Sequence, residues 1–243
     1  MLAVCLILAL AACDGSDAPA SSTVLVSAAS SLSDAFADVE SAFESTHPDI
    51  DVILNLAGSS SLREQILEGA PADVFASANM SNMDQVGDAG DIAGRSRIFA
   101  RNFLQIAVPS GNPAGVTALG DFAREDLLIG LCAEQVPCGE FARVALTRAG
   151  VTPAIDTNEP DVRSLLTKIE AGELDAGITY VTDVISATGS VDGIDIPDDV
   201  NVVAEYPIAV LTDATDPETA SAFVEFVLSD DGQAILGEHG FAS

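Results

Sequence analysis

The chain is short of positive charge. Its 243 residues hold nine Lys and Arg, with Lys168 the single lysine, against 38 Asp and Glu, for a formal charge of -29. Nucleic-acid binding draws on basic surface to neutralise phosphates, so this balance argues against it. It argues equally against attachment to anionic lipid by charge. Tryptophan is absent and the two tyrosines are Tyr180 and Tyr206, which disfavours an iron receptor built on clustered phenols. The two histidines, His47 and His239, leave little general-base chemistry. A serine nucleophile needs a base within hydrogen-bond reach, and neither a G-x-S-x-G elbow nor a phosphate-binding P-loop occurs. A serine hydrolase using Ser59 or Ser60 is therefore the remote alternative, and the chain reads as a non-enzyme.

Apolar residues make up 48% of the sequence, enough to bury a core as one large domain or as two lobes of about 100 residues each. The carboxylates are scattered rather than blocked, as on a solvated acidic surface. The opening MLAVCLILALAAC is an apolar run too short to span a bilayer, which takes roughly 20 residues, and it reads as the core of an export signal that lacks the usual basic start. Leu10-Ala11-Ala12-Cys13 resembles the lipobox of bacterial lipoproteins. The reading is a signal segment over 1–13, lipidation at Cys13, a polar tether over 14–22, and an extracytoplasmic body anchored to the membrane or periplasmic. Cys5 leaves with the signal. Cys132 and Cys138 remain, and outside the cytoplasm two thiols this close usually pair, contributing about 2 to 2.5 kcal/mol in the chain-entropy model. With no His or further Cys nearby, a metal site there is disfavoured, and no free cation site is expected.

From Thr23 strands alternate with helices. TVLVSAA, DVILNLA (51–57) and ADVFASA (72–78) read as buried strands; Leu32, Ala35, Phe36, Val39 and Phe43 mark a helix between the first two, and Leu62, Ile66 and Leu67 another that stops at Gly69. A second set follows: strands at 103–109, 126–131 and 173–180, helices over CGEFARVALTRAG, DVRSLLTKIEAG and TDVISATG, then a strand at 205–211 and a C-terminal helix from Pro217. This order predicts an α/β fold of right-handed βαβ units with mostly parallel sheets, which bind ligands beyond the carboxyl ends of the strands.

Two serine clusters fall at such ends: Ser30-Ser31 after the first strand and Ser59-Ser60-Ser61 after the second. Unpaired N–H groups and the positive end of the dipole at a helix start bind anions without a cationic side chain. Helix capping is the plainer use of serine. Ser61-x-x-Glu64 fits a capping box, and Ser31-x-x-Asp34 is a weaker version. Capping explains one serine per helix and leaves the others over.

AASSL (28–32), AGSSSLREQILEGAPADVFASAN (57–79), VPCG (136–139), DVRSLL (161–166), GITYVTD (177–183) and EYPIAV (205–210) resemble, in order, the signature segments of ModA-type molybdate-binding proteins. The resemblance covers essentially the whole mature chain. It implies a two-lobed periplasmic-binding-protein fold of type II, with lobe 1 over 23–103 plus 208–243, lobe 2 over 104–207, and crossings near 103–108 and 204–209. It implies capture of molybdate, and of tungstate with it, for a membrane ABC permease, by a monomer without a cofactor. By position, Ser31 and Ser59 resemble the hydroxyl donors, Cys138 and Val162 main-chain donors, and Tyr180 the phenolic donor. LCAEQVPCG departs from the family pattern by one extra residue and two cysteines. Molybdate, tungstate and sulfate are fully deprotonated dianions that only accept hydrogen bonds, whereas hydrogen phosphate keeps a proton and calls for an acceptor. Unpaired buried donors cost about 1 to 3 kcal/mol each, so a full ring of donors discriminates by size and protonation. A sulfate, thiosulfate or phosphate receptor on the same scaffold is the alternative.

Overall fold

The structure, a computed structural model, describes residues 22–243. The signal segment, Cys13 and all but the last tether residue lie outside them. β1 (Ser22–Ala29) and β2 (Ile50–Ala57) are parallel and joined by α1 (Ser33–Thr46). Ala35, Phe36, Val39 and Phe43 recur on the buried face of α1, and the helix ends at His47, ahead of Pro48, where the proline ring disfavours a further helical residue. α2 (Ser59–Leu67) follows, and β3 (Val74–Ala76) pairs in parallel on the other side of β1. Asp73, inside the distinctive GAPADVFASA segment, is a structural tie: its Oδ2 accepts the Leu25 N–H at 2.7 Å and its Oδ1 accepts the Thr215 N–H at 2.6 Å.

α3 (Met80–Ala89) is additional to the expected elements. It is capped by Asn79, and its buried side chains are only Asn82, Met83 and Val86, too sparse for a legible apolar stripe. β4 (Arg97–Pro109) is longer at its start than the strand read at 103–109. Beyond it run β5 (Ile129–Cys132), α4 (Pro137–Arg148), β6 (Thr157–Glu159), α5 (Val162–Glu170), β7 (Ala176–Tyr180), α6 (Val181–Ser186) and β8 (Val191–Asp195). β9 (Val203–Val210), α7 (Pro217–Leu228) and α8 (Asp230–Glu238) complete the chain. β6, β8 and α8 were not expected, because TNE and VDGID are short and polar and DDGQAILGE carries two glycines.

The strand order is β2-β1-β3-β9-β4-β7-β5-β6, with β8 also on β4. Parallel pairing occupies the outer three strands of each lobe, β2-β1-β3 and β7-β5-β6. Every antiparallel pair involves β4 or β9. β4 pairs β9 as far as Phe103 and β7 from Leu104, so a single strand carries the chain from one lobe to the other. β9 pairs along its length with β3 and β4 in the first lobe, and the return is made by 196–202. There the Val200 and Asn201 N–H groups both bond the Pro197 carbonyl, a turn suited to Pro197-Asp198. Phe36, Phe43 and Phe223 pack edge to face in the core.

Candidate functional site

Where the two sets of parallel strands end, five helix or turn starts converge. β1 leads into a single 3-10 turn at Ser30–Leu32, β2 into α2, β5 into α4, β6 into α5 and β7 into α6. One small cavity lies among them, lined by Ser31 and Ser59 from the first lobe and by Cys138, Val162 and Tyr180 from the second. All five residues singled out in the sequence are thus brought together. The cavity measures about 10 Å³ at the centres of a water-sized sphere, near the minimum that holds one small species and far below the roughly 300–1,000 Å³ of sites for organic ligands. None of its lining residues is charged.

Each side chain has a definite setting. Ser59 Oγ accepts the Ala78 N–H at 3.0 Å, which leaves its own hydrogen to donate. Ser31 Oγ lies 2.9 Å from Tyr206 Oη. Cys138 is the second residue of α4, after Pro137, and Val162 is the first of α5, whose cap Asp161 bonds the Ser164 N–H at 2.8 Å. The first N–H groups of a helix have no partner within it, so Cys138 and Val162 present main-chain donors. Tyr180 is 1% exposed, and its Oη has no hydrogen-bond partner among the described residues. Burial holds the phenols of Tyr180 and Tyr206 well above their ordinary pKa, so both remain O–H donors.

The expected caps are corrected. α2 begins at Ser59 with Gly58 as its cap residue and no side-chain cap, so Ser61 sits at the third helical position and cannot cap. Glu64 instead pairs with Arg63 at 2.9 Å. The Ser31–Asp34 cap is likewise absent, since Asp34 reaches across the cleft to Arg163. Cys132 and Cys138 are joined in a disulfide with Cα atoms 5.8 Å apart. It spans the turn from β5 to α4, where Gly139 is required: a Cβ there would lie 2.0 Å from the Ala133 carbonyl oxygen.

Several residues with parts to play here were not singled out beforehand. Asn79 Nδ2 donates to Glu140 Oε2 at 2.9 Å, and with Asp34–Arg163 this ties the lobes. Gly58, in the cavity lining, packs so closely on the second lobe that an added Cβ would meet the Pro160 carbonyl oxygen at 2.8 Å. Glu140 and Arg163 stand next to site positions inside CGE and DVR, and Tyr206 is the polar residue that opens the buried run Tyr206–Ala209 of β9; those were the available signals. Asp183 is buried and accepts the Tyr180 N–H at 3.0 Å. Desolvation raises its carboxyl to about 7, against the lowering effects of that N–H and of Arg163; it does not line the cavity. His239 bonds Asp38 and His47 stacks on Phe43, so neither histidine serves a site serine.

The sequence model of the bacterial extracellular solute-binding proteins matches residues 24–242. The molybdate-binding protein ModA of Mycobacterium tuberculosis is 36% identical over 251 aligned positions, covering 100% of this chain and 96% of that protein. Among solved structures, the periplasmic molybdate-binding protein of Azotobacter vinelandii superposes with a TM-score of 0.81 at 18% identity, covering 90% of this chain and 99% of that one. The sulfate-binding protein SubI of M. tuberculosis superposes with 0.82 at 16% identity over 90% and 86%. At these identities the superpositions establish the two-lobed fold, which molybdate and sulfate binders share.

Proposed function

We propose, for a chain that belongs to the bacterial extracellular solute-binding proteins and within them to the ModA type, that it captures molybdate, and tungstate with it, and delivers the anion to a membrane ABC permease. The observation that carries this reading is the small uncharged cavity ringed by hydroxyls and helix starts, into which Tyr180 brings a buried hydroxyl with no partner of its own. A buried donor left unpaired costs about 1 to 3 kcal/mol, and an anion that only accepts hydrogen bonds relieves that cost. No lining carboxylate offers an acceptor for a protonated anion such as hydrogen phosphate.

Ser31 and Ser59 would bind from the first lobe, and Tyr180 with the Cys138 and Val162 N–H groups from the second. An anion bridging both sets favours the closed form, because a ligand shifts an equilibrium only through contacts that differ between its states. The permease then receives a closed, loaded protein. Lipidation at Cys13 would keep a monomeric body outside the cytoplasm close to that permease.

Thermal unfolding of the body against an oxyanion panel tests the reading. At 100 times its dissociation constant a ligand adds about 2.7 kcal/mol, a melting rise of roughly 5 to 10 °C for a body of this size. Molybdate and tungstate are expected to give that rise. A rise with sulfate or phosphate and none with molybdate would reassign the ligand.

A further inference from the structure

Tyr206 is a buried polar residue that the proposed ligand set does not use. It lies on β9, its side chain is fully enclosed, and its Oη is 2.9 Å from Ser31 Oγ. We propose that Tyr206 is a positioning residue for anion capture, its phenol donating to Ser31 so that the Ser31 hydrogen is directed into the cavity. This rests on the reading of Ser31 as an anion ligand.

A serine hydroxyl has one hydrogen and two acceptor lone pairs, and it rotates to suit its surroundings. Two arrangements of the pair are available. If Ser31 donates to Tyr206, its lone pairs are left for the cavity and repel an anion. If Tyr206 donates, the Ser31 oxygen is satisfied as an acceptor and its hydrogen is free for the anion. An acceptor-only dianion selects the second arrangement, giving a relay from Tyr206 O–H to Ser31 O–H to the anion, in which each bond polarises the next. Because burial keeps the phenol protonated, the donor persists throughout the ordinary pH range.

The ring is held in place for that role. Phe99 and Phe241 meet it edge to face, with centroids 6.3 and 5.5 Å away. The third neighbour is Tyr180 of the second lobe, at 6.1 Å and 69°. Tyr206 therefore contacts one proposed ligand from each lobe, by hydrogen bond to Ser31 and by ring packing to Tyr180. A residue there only to fill the core could be phenylalanine, like the two aromatic neighbours that enclose it.

Calorimetric titration with sodium molybdate tests this on the intact body, using Tyr206→Phe, Ser31→Ala and their combination, with Ser59→Ala as the comparison background. Titrations extended to millimolar anion keep large losses readable. Tyr206→Phe should weaken binding about tenfold in the wild-type background, and again about tenfold in the Ser59→Ala background. In the Ser31→Ala background, with no hydroxyl left to orient, the same change should cost less than twofold. An equal tenfold loss in all three backgrounds would reduce Tyr206 to a structural residue. Unchanged binding by Tyr206→Phe would overturn this inference while leaving the functional reading intact, whereas a wild-type body that fails to bind molybdate overturns both.

Discussion

Tyr180 and Ser59 show two ways in which a buried hydroxyl becomes a donor. Ser59 is satisfied as an acceptor by the Ala78 N–H and has its hydrogen to spare. Tyr180 has no partner among the described residues and contributes only the cost of its enclosure. The two effects separate in Tyr180→Phe. Without ligand, removing an unpaired buried hydroxyl should leave the melting temperature unchanged or raise it, since the orphan group costs about 1 to 3 kcal/mol. With molybdate, affinity should fall by about ten- to a hundredfold, the same energy read as binding. Melting curves with and without molybdate check both signs; a destabilised ligand-free form with unaltered affinity would return Tyr180 to the core. The serines were legible as a group because two clusters follow two strands. Their separate duties were not, because which hydroxyl caps, lines or relays depends on where each helix starts, and α2 starts three residues earlier than its capping pattern suggested.

At the scale of elements, the site is a set of helix starts placed by parallel strands, and α4 is the one fastened covalently. The bridge links the last residue of β5 to the second of α4. Arg143 adds to it, donating to the Cys132 and Gly139 carbonyls at 2.9 Å each. Replacing both cysteines by alanine should remove about 2 to 2.5 kcal/mol in the chain-entropy model, a fall in melting temperature of roughly 5 to 10 °C. Molybdate binding should survive well below that temperature, because Arg143 still holds the turn and position 138 offers a main-chain donor. Non-reducing thermal unfolding and calorimetry decide it; unchanged melting would mean the bridge contributes no net stability. The pairing was readable from spacing and compartment. α3, β6 and α8 were not, since their burial is supplied by neighbouring elements rather than by an apolar period of their own.

For the whole molecule, the formal charge of -29 opposes the approach of a dianion even though the cavity itself is uncharged. Long-range repulsion is screened over about 30 Å at 0.01 M salt and about 3 Å at 1 M, whereas donors and helix ends act within a few ångströms of the bound ion. The association rate of molybdate should therefore rise several-fold with sodium chloride across that range, the reverse of attractive steering. Stopped-flow measurements over the salt series provide the check, and a rate that falls with salt would show that local positive potential at the cleft outweighs the net charge.

The sequence by itself determined the class of site. Strand-helix alternation, the serine clusters and the six ordered segments were enough to name five residues that the tertiary structure brings to one cavity, because local pattern sets where strands end and helices begin. Only the tertiary structure decided what completes that cavity. The Ser31–Tyr206 pair joins residues 175 positions apart, and the Asn79–Glu140 and Asp34–Arg163 ties cross from lobe to lobe. Such contacts depend on how β9 returns beside β3 and how the lobes close, and no local period in the chain encodes a distance between lobes.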